Sequence, residues 1–305
     1  MLRAVQILVG LALSCAVLAA QDPAFNERKL FRSGVDITSV NVTVLDAEGR
    51  LVRGLDRDAF DIFEDGERQT ITQFVGQRVP VSLGVLLDTS DSMFGVRLQE
   101  ARAAIDRFLF ELLDRQDEFF VLAFNHVPHL LTDWTADPDV VRPALDGIRP
   151  SGATAAYDAV MNGLPLFDRR NRQRAALLIV SDGADTASDT TIRELRNALL
   201  RSDAFVYAIA IDARASQAIN TRVNPQALRE ITDQSGGRTE VIETTADLEG
   251  ATARIAEELS NQYLLGYVSP HAGDGRYHSI RVRPKNGDYR VRARNGYVAS
   301  GRTKN

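Results

Sequence analysis

Cysteine is nearly missing from this chain of 305 residues. The one present, Cys15, lies in an apolar N-terminal run, so neither a disulfide framework nor a thiolate metal site is available, and buried cores must supply the stability. Lysine is almost as scarce. Only Lys29, Lys285 and Lys304 occur, which leaves residues 80–262 without a lysine for a phosphate-binding P-loop, a Schiff base or a haloacid-type phosphatase site. Basic charge has no surplus: 36 Lys and Arg against 41 Asp and Glu give a net charge of −5, which argues against general nucleic-acid binding. No Gly-x-Ser-x-Gly elbow occurs, and the four histidines have no evident link to Ser90 or Ser92, so a serine hydrolase lacks its base. The glycines of a dinucleotide fingerprint are replaced by Asp88-Thr89-Ser90 after the first strand of the α/β region.

What is present describes an ordinary folded chain. A content of 44% hydrophobic and 25% charged residues excludes disorder, collagen and a coiled coil, and the length suggests about two domains. Residues 1–20 carry Arg3, then an apolar run from Ala4 to Ala20, with small residues just before the polar Gln21-Asp22-Pro23. This predicts a secretory signal peptide and an exported protein, periplasmic or extracellular. The alternatives are an uncleaved N-terminal anchor and, with a poor lipobox in Ala12-Leu13-Ser14, a lipid-modified Cys15. No other apolar run is long enough to span a bilayer.

The remainder divides into a linker over 21–34, a β segment over 35–79, an α/β region over 80–262, a second β segment over 263–299 and a tail over 300–305. In the first β segment Val40, Val42 and Val44 alternate with Asn41 and Thr43, and turns fall at Asp46-Ala47-Glu48-Gly49 and Glu64-Asp65-Gly66-Glu67. From Val81 short apolar strands (Val81 to Leu87, Phe119 to Phe124, Ala175 to Val180, Phe205 to Ile211, Glu240 to Ile242) alternate with amphipathic helices. Those helices are expected over Leu98 to Leu113, Thr154 to Leu166, Thr191 to Leu200, Pro225 to Thr232 and Leu248 to Leu259, the signature of a mostly parallel sheet with helices on both faces. Strands return at Tyr263 to Val268, His278 to Val282 and Tyr289 to Val298. Each flank is too short to fold alone, so the two are expected to pair as one antiparallel β-sandwich with the α/β region inserted between its strands.

Open α/β sheets bind ligands beyond the carboxyl ends of their strands. Two such ends are unusually polar here: Asp88-Thr89-Ser90-Asp91-Ser92 after the first strand and Ser181-Asp182-Gly183 after the third. Ser151-Gly152-Ala153-Thr154 opens a helix on the same rim. Asp88, Ser90, Ser92, Thr154 and Asp182 thus converge in the expected topology, and their hard oxygens suit Mg²⁺, Mn²⁺ or Ca²⁺. Two carboxylates leave such an ion incompletely neutralised. A vacant coordination position then favours an anion, most simply an Asp or Glu carboxylate from a partner protein, and the outcome is binding rather than catalysis.

At these residues the chain resembles the von Willebrand factor type A domain, whose metal-ion-dependent adhesion site (MIDAS) combines Asp-x-Ser-x-Ser with a distant Thr and a distant Asp. Asp88-Thr89-Ser90-Asp91-Ser92 matches the first element, Thr154 followed by Tyr157-Asp158-Ala159 the second, and Asp182 in Val180-Ser181-Asp182-Gly183 the third. The resemblance covers roughly Val79 to Gln262. It implies a Rossmann-like α/β fold in which Ser90, Ser92 and Thr154 contact the ion directly, and Asp88 and Asp182 directly or through water. The flanks look like those of bacterial secreted proteins that carry this domain within β-rich extensions, and integrin β subunits share the inserted layout. Phe94-Gly95-Val96 stands where an Asp-Asp pair would support a second, adjacent metal, and Asp91 is expected to face water.

Plainer roles compete for several of these residues. Ser90, Asp91 and Thr154 are good helix caps. His126 and His129 flank a proline with no third ligand and read as surface or edge-strand residues rather than a zinc site. Arg169, Arg170, Arg172 and Arg174 read as a solvated basic loop or a surface for an acidic partner, and Asn41-Val42-Thr43 is a glycosylation sequon in a strand. Two functional alternatives stay open beside adhesion: a metal-assisted hydrolase on the same rim, and an envelope scaffold whose ion only rigidifies loops. The last helix of the α/β region runs straight into Tyr263-Leu264-Leu265-Gly266, which gives the rim a possible mechanical link to the sandwich.

Overall fold

Val40, Val42 and Val44 bury one face of β1 (Ile37–Leu45), as their alternation requires. A computed structural model describes residues 37–183, 185–212, 225–285 and 287–300. The expected signal peptide and linker, and residues 301–305 of the tail, lie outside the described residues. After β1 come β2 (Phe60–Glu64), β3 (Glu67–Gln69) and β4 (Ile71–Val75). Asp65 (φ +50°) and Gly66 (φ +87°) join β2 to β3. Two positive φ values in a two-residue loop are what the twist of a tight hairpin demands, and Asp-Gly supplies them.

The α/β region begins with β5 (Val81–Asp88), all eight residues of which are buried. It continues through α1 (Val96–Arg107), β6 (Glu118–Phe124), β7 (Pro128–Thr135), α2 (Arg142–Asp146), α3 (Ala156–Gly163), β8 (Arg174–Ser181) and α4 (Ile192–Arg201). It ends with β9 (Phe205–Ile211), α5 (Pro225–Ser235), β10 (Thr239–Ile242) and α6 (Thr245–Asn261). These strands form one sheet in the order β10-β9-β8-β5-β6-β7, parallel except for β7 at the edge. Leu83, Val85 and Leu87 pack on one face with Ala101 and Ile105 of α1 and Ile255 of α6. Leu86, Phe120 and Ile179 pack on the other with Val160 of α3, Leu195 of α4 and Ile231 of α5. The chain runs from β5 to β6 on one side and later to β8 on the other, so the carboxyl end of β5 is the switch point of the sheet.

Neither β7 nor α2 is anticipated in the sequence. β7 is half exposed and its apolar residues do not alternate; Trp134 anchors it, packing edge-on to Phe120 at 4.8 Å and donating its indole N–H to the Leu166 carbonyl. Phe120 in turn lies over Gly84, where a Cβ would come within 2.3 Å of its ring.

The chain closes with β11 (Tyr263–Val268), β12 (Tyr277–Pro284), β13 (Arg290–Ala293) and β14 (Gly296–Val298). The single strand expected over Tyr289 to Val298 is two, because the chain changes sheets at Arg294-Asn295, where the Asn295 carbonyl accepts from the Ile280 N–H. Strands from before and after the α/β region interleave in two antiparallel sheets, β13-β1-β11-β4 and β14-β12-β2-β3. Their inner faces share one core that includes Val42, Phe60, Ile62, Tyr263, Leu265 and Ile280.

A buried polar cluster joins this sandwich to the α/β region. Glu258 on α6 accepts from Thr43 Oγ1 of β1 at 3.0 Å, from the Tyr207 hydroxyl of β9 at 3.2 Å and from Arg292 of β13. Gln262 donates to Tyr207 at 2.8 Å and accepts from Arg174, which also donates to the Leu259 carbonyl at 2.7 Å. Arg174 is therefore no part of a solvated basic loop, and burial pushes its pKa down to about 10. Its neighbours are also engaged, Arg169 with Asp133 at 2.7 Å and Arg170 with Asp203 at 2.5 Å. The sequon is equally occupied, since Asn41 and Thr43 are buried in β1. Replacing Glu258 by Ala strips the half-buried Arg292 and the two buried residues Thr43 and Tyr207 of their shared acceptor, and should cost on the order of 3 kcal/mol. Urea unfolding checks this, and a midpoint equal to that of the unaltered chain would refute it.

Candidate metal centre

β5 ends in a carboxylate with no access to solvent: Asp88 is 0% exposed. One of its oxygens accepts the Ser90 N–H at 2.9 Å, and the other accepts the Ser181 hydroxyl, from the last residue of β8, at 2.6 Å. Both donors are neutral. Loss of hydration pushes the carboxyl up to about 6, further raised by the nearby Asp182 charge and opposed by the hydrogen bonds from Ser181 and Ser90. A buried carboxylate facing a second carboxylate, with only neutral donors as its hydrogen-bond partners, is a place for a cation.

Ser90 is buried and Ser92 half-buried, with their hydroxyl oxygens 2.9 Å apart. These hydroxyls are not capping helices. Ser90 precedes a short 3-10 turn, Asp91–Met93, without bonding to it through its side chain; α1 starts from Gly95; and α3 starts from Ala155, one residue beyond Thr154. The helix expected from Thr154 therefore begins at Ala156, and Thr154 stands in the loop before it.

Backbone hydrogen bonds lay that loop against the Asp88 loop. Ser151 N–H donates to the Thr89 carbonyl and Asp91 N–H to the Gly152 carbonyl, each at 2.9 Å. Thr89 N–H donates to Phe124 and Ala155 N–H to Asn125, at the end of β6. Gly152 is at φ +75°, and a Cβ there would lie 2.7 Å from His126 Nδ1, so glycine is required on both counts. On the far side, Thr154 donates its N–H to Thr186 Oγ1 at 3.0 Å, and its carbonyl accepts from Thr186 and Ala187. Asp158 on α3 accepts from the N–H groups of Asp189 and Thr190, both at 3.0 Å, which ties the loop after Asp182 to the same helix. Thr154 is buried, and Asp91 is exposed as expected.

Asp182 is buried and accepts from Arg97 at 3.2 Å; Arg97 also donates to the Ser92 carbonyl at 2.9 Å. Arg97, itself 4% exposed, reaches the rim from the first turn of α1. The two carboxylates and this guanidinium leave the rim a formal charge of −1. The hydroxyl and carboxylate oxygens fit Mg²⁺, Mn²⁺ or Ca²⁺, and Asp88 as the buried anion fits an ion held close to it.

The family model of the von Willebrand factor type A domain matches residues 83–184, which run from β5 past Asp182. The chain contains a von Willebrand factor type A domain. A human relative, inter-alpha-trypsin inhibitor heavy chain H4, is 25% identical over 131 residues, 39% of this chain. The aligned part is only 14% of that relative's length. Among solved structures, a von Willebrand factor type A protein from Catenulispora acidiphila covers 90% of this chain and 76% of its own at 15% identity and a TM-score of 0.51. BatB from Bacteroides thetaiotaomicron, at 18% identity and a TM-score of 0.50, covers 58% of this chain and 98% of its own. An aerotolerance-related membrane protein from Bacteroides fragilis, at 18% and 0.51, covers 59% and 98%. These likenesses concern the fold. In this chain, no helix among the described residues is long and apolar enough to cross a membrane.

Two residues of the type A rim escape a reading by motif. Ser181 is hidden because β8 is buried on both faces and shows no alternation. Arg97 does leave a signal: a basic residue in the first turn of a helix opposes the helix dipole and calls for a compensating anion.

The state of Asp88 has a measurable sign. Its folded pKa of about 6 lies above the ordinary 3.8, so between those values the folded state holds a proton that the unfolded chain has released. In chelator, stability should fall as pH rises through that window, by roughly 2–3 kcal/mol. Asp88→Asn removes this component. Urea titrations of both proteins at pH 4 to 7.5 should show the variant gaining on the parent as pH rises; a constant difference would rule out a raised Asp88 pKa.

Proposed function

We propose that this protein is an exported, metal-dependent binding module. A divalent cation sits at a MIDAS rim formed by Asp88, Ser90, Ser92, Thr154 and Asp182, and an Asp or Glu of a partner protein completes its coordination. The observation that carries this reading is the Asp88 carboxylate, fully buried with neutral hydrogen-bond donors beside Asp182. Ser90, Ser92 and Thr154 would offer hydroxyls to Mg²⁺, Mn²⁺ or Ca²⁺, Asp88 its charge, and Asp182 a carboxylate shared with Arg97, which suits contact through water.

Charge bookkeeping favours an anionic partner. Adding a divalent ion to a rim of formal charge −1 leaves +1, and that excess attracts a carboxylate. Phe94, 72% exposed, stands beside Ser92 and offers apolar contact to whatever docks there. Hydrolysis on the same rim is the alternative use of the site. Export rests on the N-terminal apolar run alone.

Calorimetric titration of the EDTA-stripped protein with Mg²⁺ and Mn²⁺ tests the reading. One Mg²⁺ should bind, with Mg²⁺ binding lost in Asp88→Ala and Thr154→Ala, while Arg97→Gln removes a positive charge and should tighten Mg²⁺ binding several-fold. No binding at millimolar metal would overturn the proposal. Phosphoester or peptide turnover that depends on Mn²⁺ and disappears in Asp88→Ala would replace adhesion by hydrolysis. An Asp88→Ala protein that melts earlier in Mg²⁺ yet retains its partner would make the ion a scaffold element.

A further inference from the structure

A second cluster of metal-binding side chains lies in the sandwich, built from residues separate from the type A rim. Asp65 in the β2–β3 turn, His271 in the β11–β12 connection and His278 in β12 each bring one ligand atom to within 4.8 Å of the others. His278 is buried, and the His271 ring stacks on it at 4.5 Å with planes 7° apart.

The partners of these groups settle which atoms are presented. His278 Nε2 lies 3.1 Å from both oxygens of Asp274, so that carboxylate holds a proton on Nε2, and Nδ1, which shares its own proton with Asp65, becomes the coordinating atom once that proton is lost. Nδ1 and the Asp65 oxygen are 2.7 Å apart. The other Asp65 oxygen is fixed by the Ser279 N–H at 2.8 Å and the Ser279 hydroxyl at 3.0 Å. The Asp65 N–H donates to the Ser279 carbonyl at 3.0 Å. A carboxylate behind the histidine and a serine behind the aspartate are the outer contacts that orient ligands in metal sites.

We infer that Asp65, His271 and His278 form a site for a divalent transition-metal ion of the zinc class, clamping the β2–β3 turn to the β11–β12 connection. Two imidazoles and one carboxylate suit Zn²⁺ and its transition-metal analogues, and Mg²⁺ least, which separates this site from the all-oxygen rim. The ion takes the place of the proton between Nδ1 and Asp65, and water completes a tetrahedral shell. The stacked rings aim their in-plane lone pairs side by side, so closing the shell to ordinary zinc distances of roughly 2.0–2.2 Å turns the His271 ring out of the stack, which its exposed side chain accommodates. The residues stand seven apart in His271-Ala272-Gly273-Asp274-Gly275-Arg276-Tyr277-His278, too far for a short metal motif, and Asp65 is remote in sequence.

The test uses the full chain carrying Asp88→Ala, which removes the rim, stripped with EDTA and titrated with Zn²⁺ and separately with Mg²⁺. One Zn²⁺ should bind at micromolar concentration and raise the melting temperature, with Mg²⁺ doing neither. His271→Ala and Asp65→Asn should each weaken Zn²⁺ binding a hundredfold or more, and Asp274→Asn ten- to hundredfold, with unchanged far-UV circular dichroism. Co²⁺ in place of Zn²⁺ should give tetrahedral visible bands that His271→Ala abolishes. Absence of micromolar Zn²⁺ binding, or equal binding by His271→Ala and Asp65→Asn, would show the cluster to be an ion-paired network only and overturn the inference.

Discussion

One carboxylate, Glu258, ties together three parts of the chain that are far apart in sequence. It sits on the last helix of the α/β region and accepts at once from a strand of the central sheet and two strands of the sandwich. A buried charge is tolerated only where its hydrogen bonds are complete, so the cluster of Glu258, Thr43, Tyr207, Arg292 and Gln262 fixes the α/β region and the sandwich in one arrangement. Apolar contact alone tolerates sliding; a shared acceptor does not. Burial, with the Glu258 charge beside it, also holds the Tyr207 phenol well above its ordinary range and keeps it a neutral donor.

The rim of the central sheet follows the opposite rule. Asp88 is as buried as Glu258, yet its hydrogen-bond donors are neutral, and the nearby Asp182 charge disfavours its own. The protein accepts that cost where the parallel strands diverge and backbone bonds hold four connections in place. Rigid loops around a destabilised charge are the arrangement on which the proposed metal site rests. Arg97 offsets part of the repulsion through Asp182.

Periodicity made most of this architecture legible. The apolar strands from Val81 to Ile242 and the helices between them are visible because a parallel sheet covered on both faces writes continuous apolar runs, and the helices write a period of three and four. The motif residues were legible for a different reason: their spacing coincides with strand ends. What stayed hidden depended on tertiary context. β7 is an edge strand held by one tryptophan, Ser181 ends a strand without alternation, and the break between β13 and β14 arises because neighbouring strands belong to different sheets. The arginines from Arg169 to Arg174 look like one charged loop in one dimension and prove to have separate partners, from an exposed ion pair at Arg169 to a buried one-residue hub at Arg174. Thr154 stands in the loop before the helix it is expected to open, because that helix starts from Ala155, and a good capping residue in sequence need not cap.

The pairing of β1 with β11 also dictates an order of assembly. Thr43 and Gln262 are hydrogen-bonded across 219 positions, a separation that would be slow to close from an open chain. The α/β region shortens it, because Arg174 touches the carbonyls of both Val79 and Leu259 and so brings the entrance and exit of that region to one buried side chain. Once its parallel sheet has formed, β4 and β11 emerge side by side and the sandwich closes as a local event. During synthesis the first four strands therefore wait, with unpaired edges, until the whole α/β region has followed them, and whatever shields those edges in the interval governs how much protein reaches the native state.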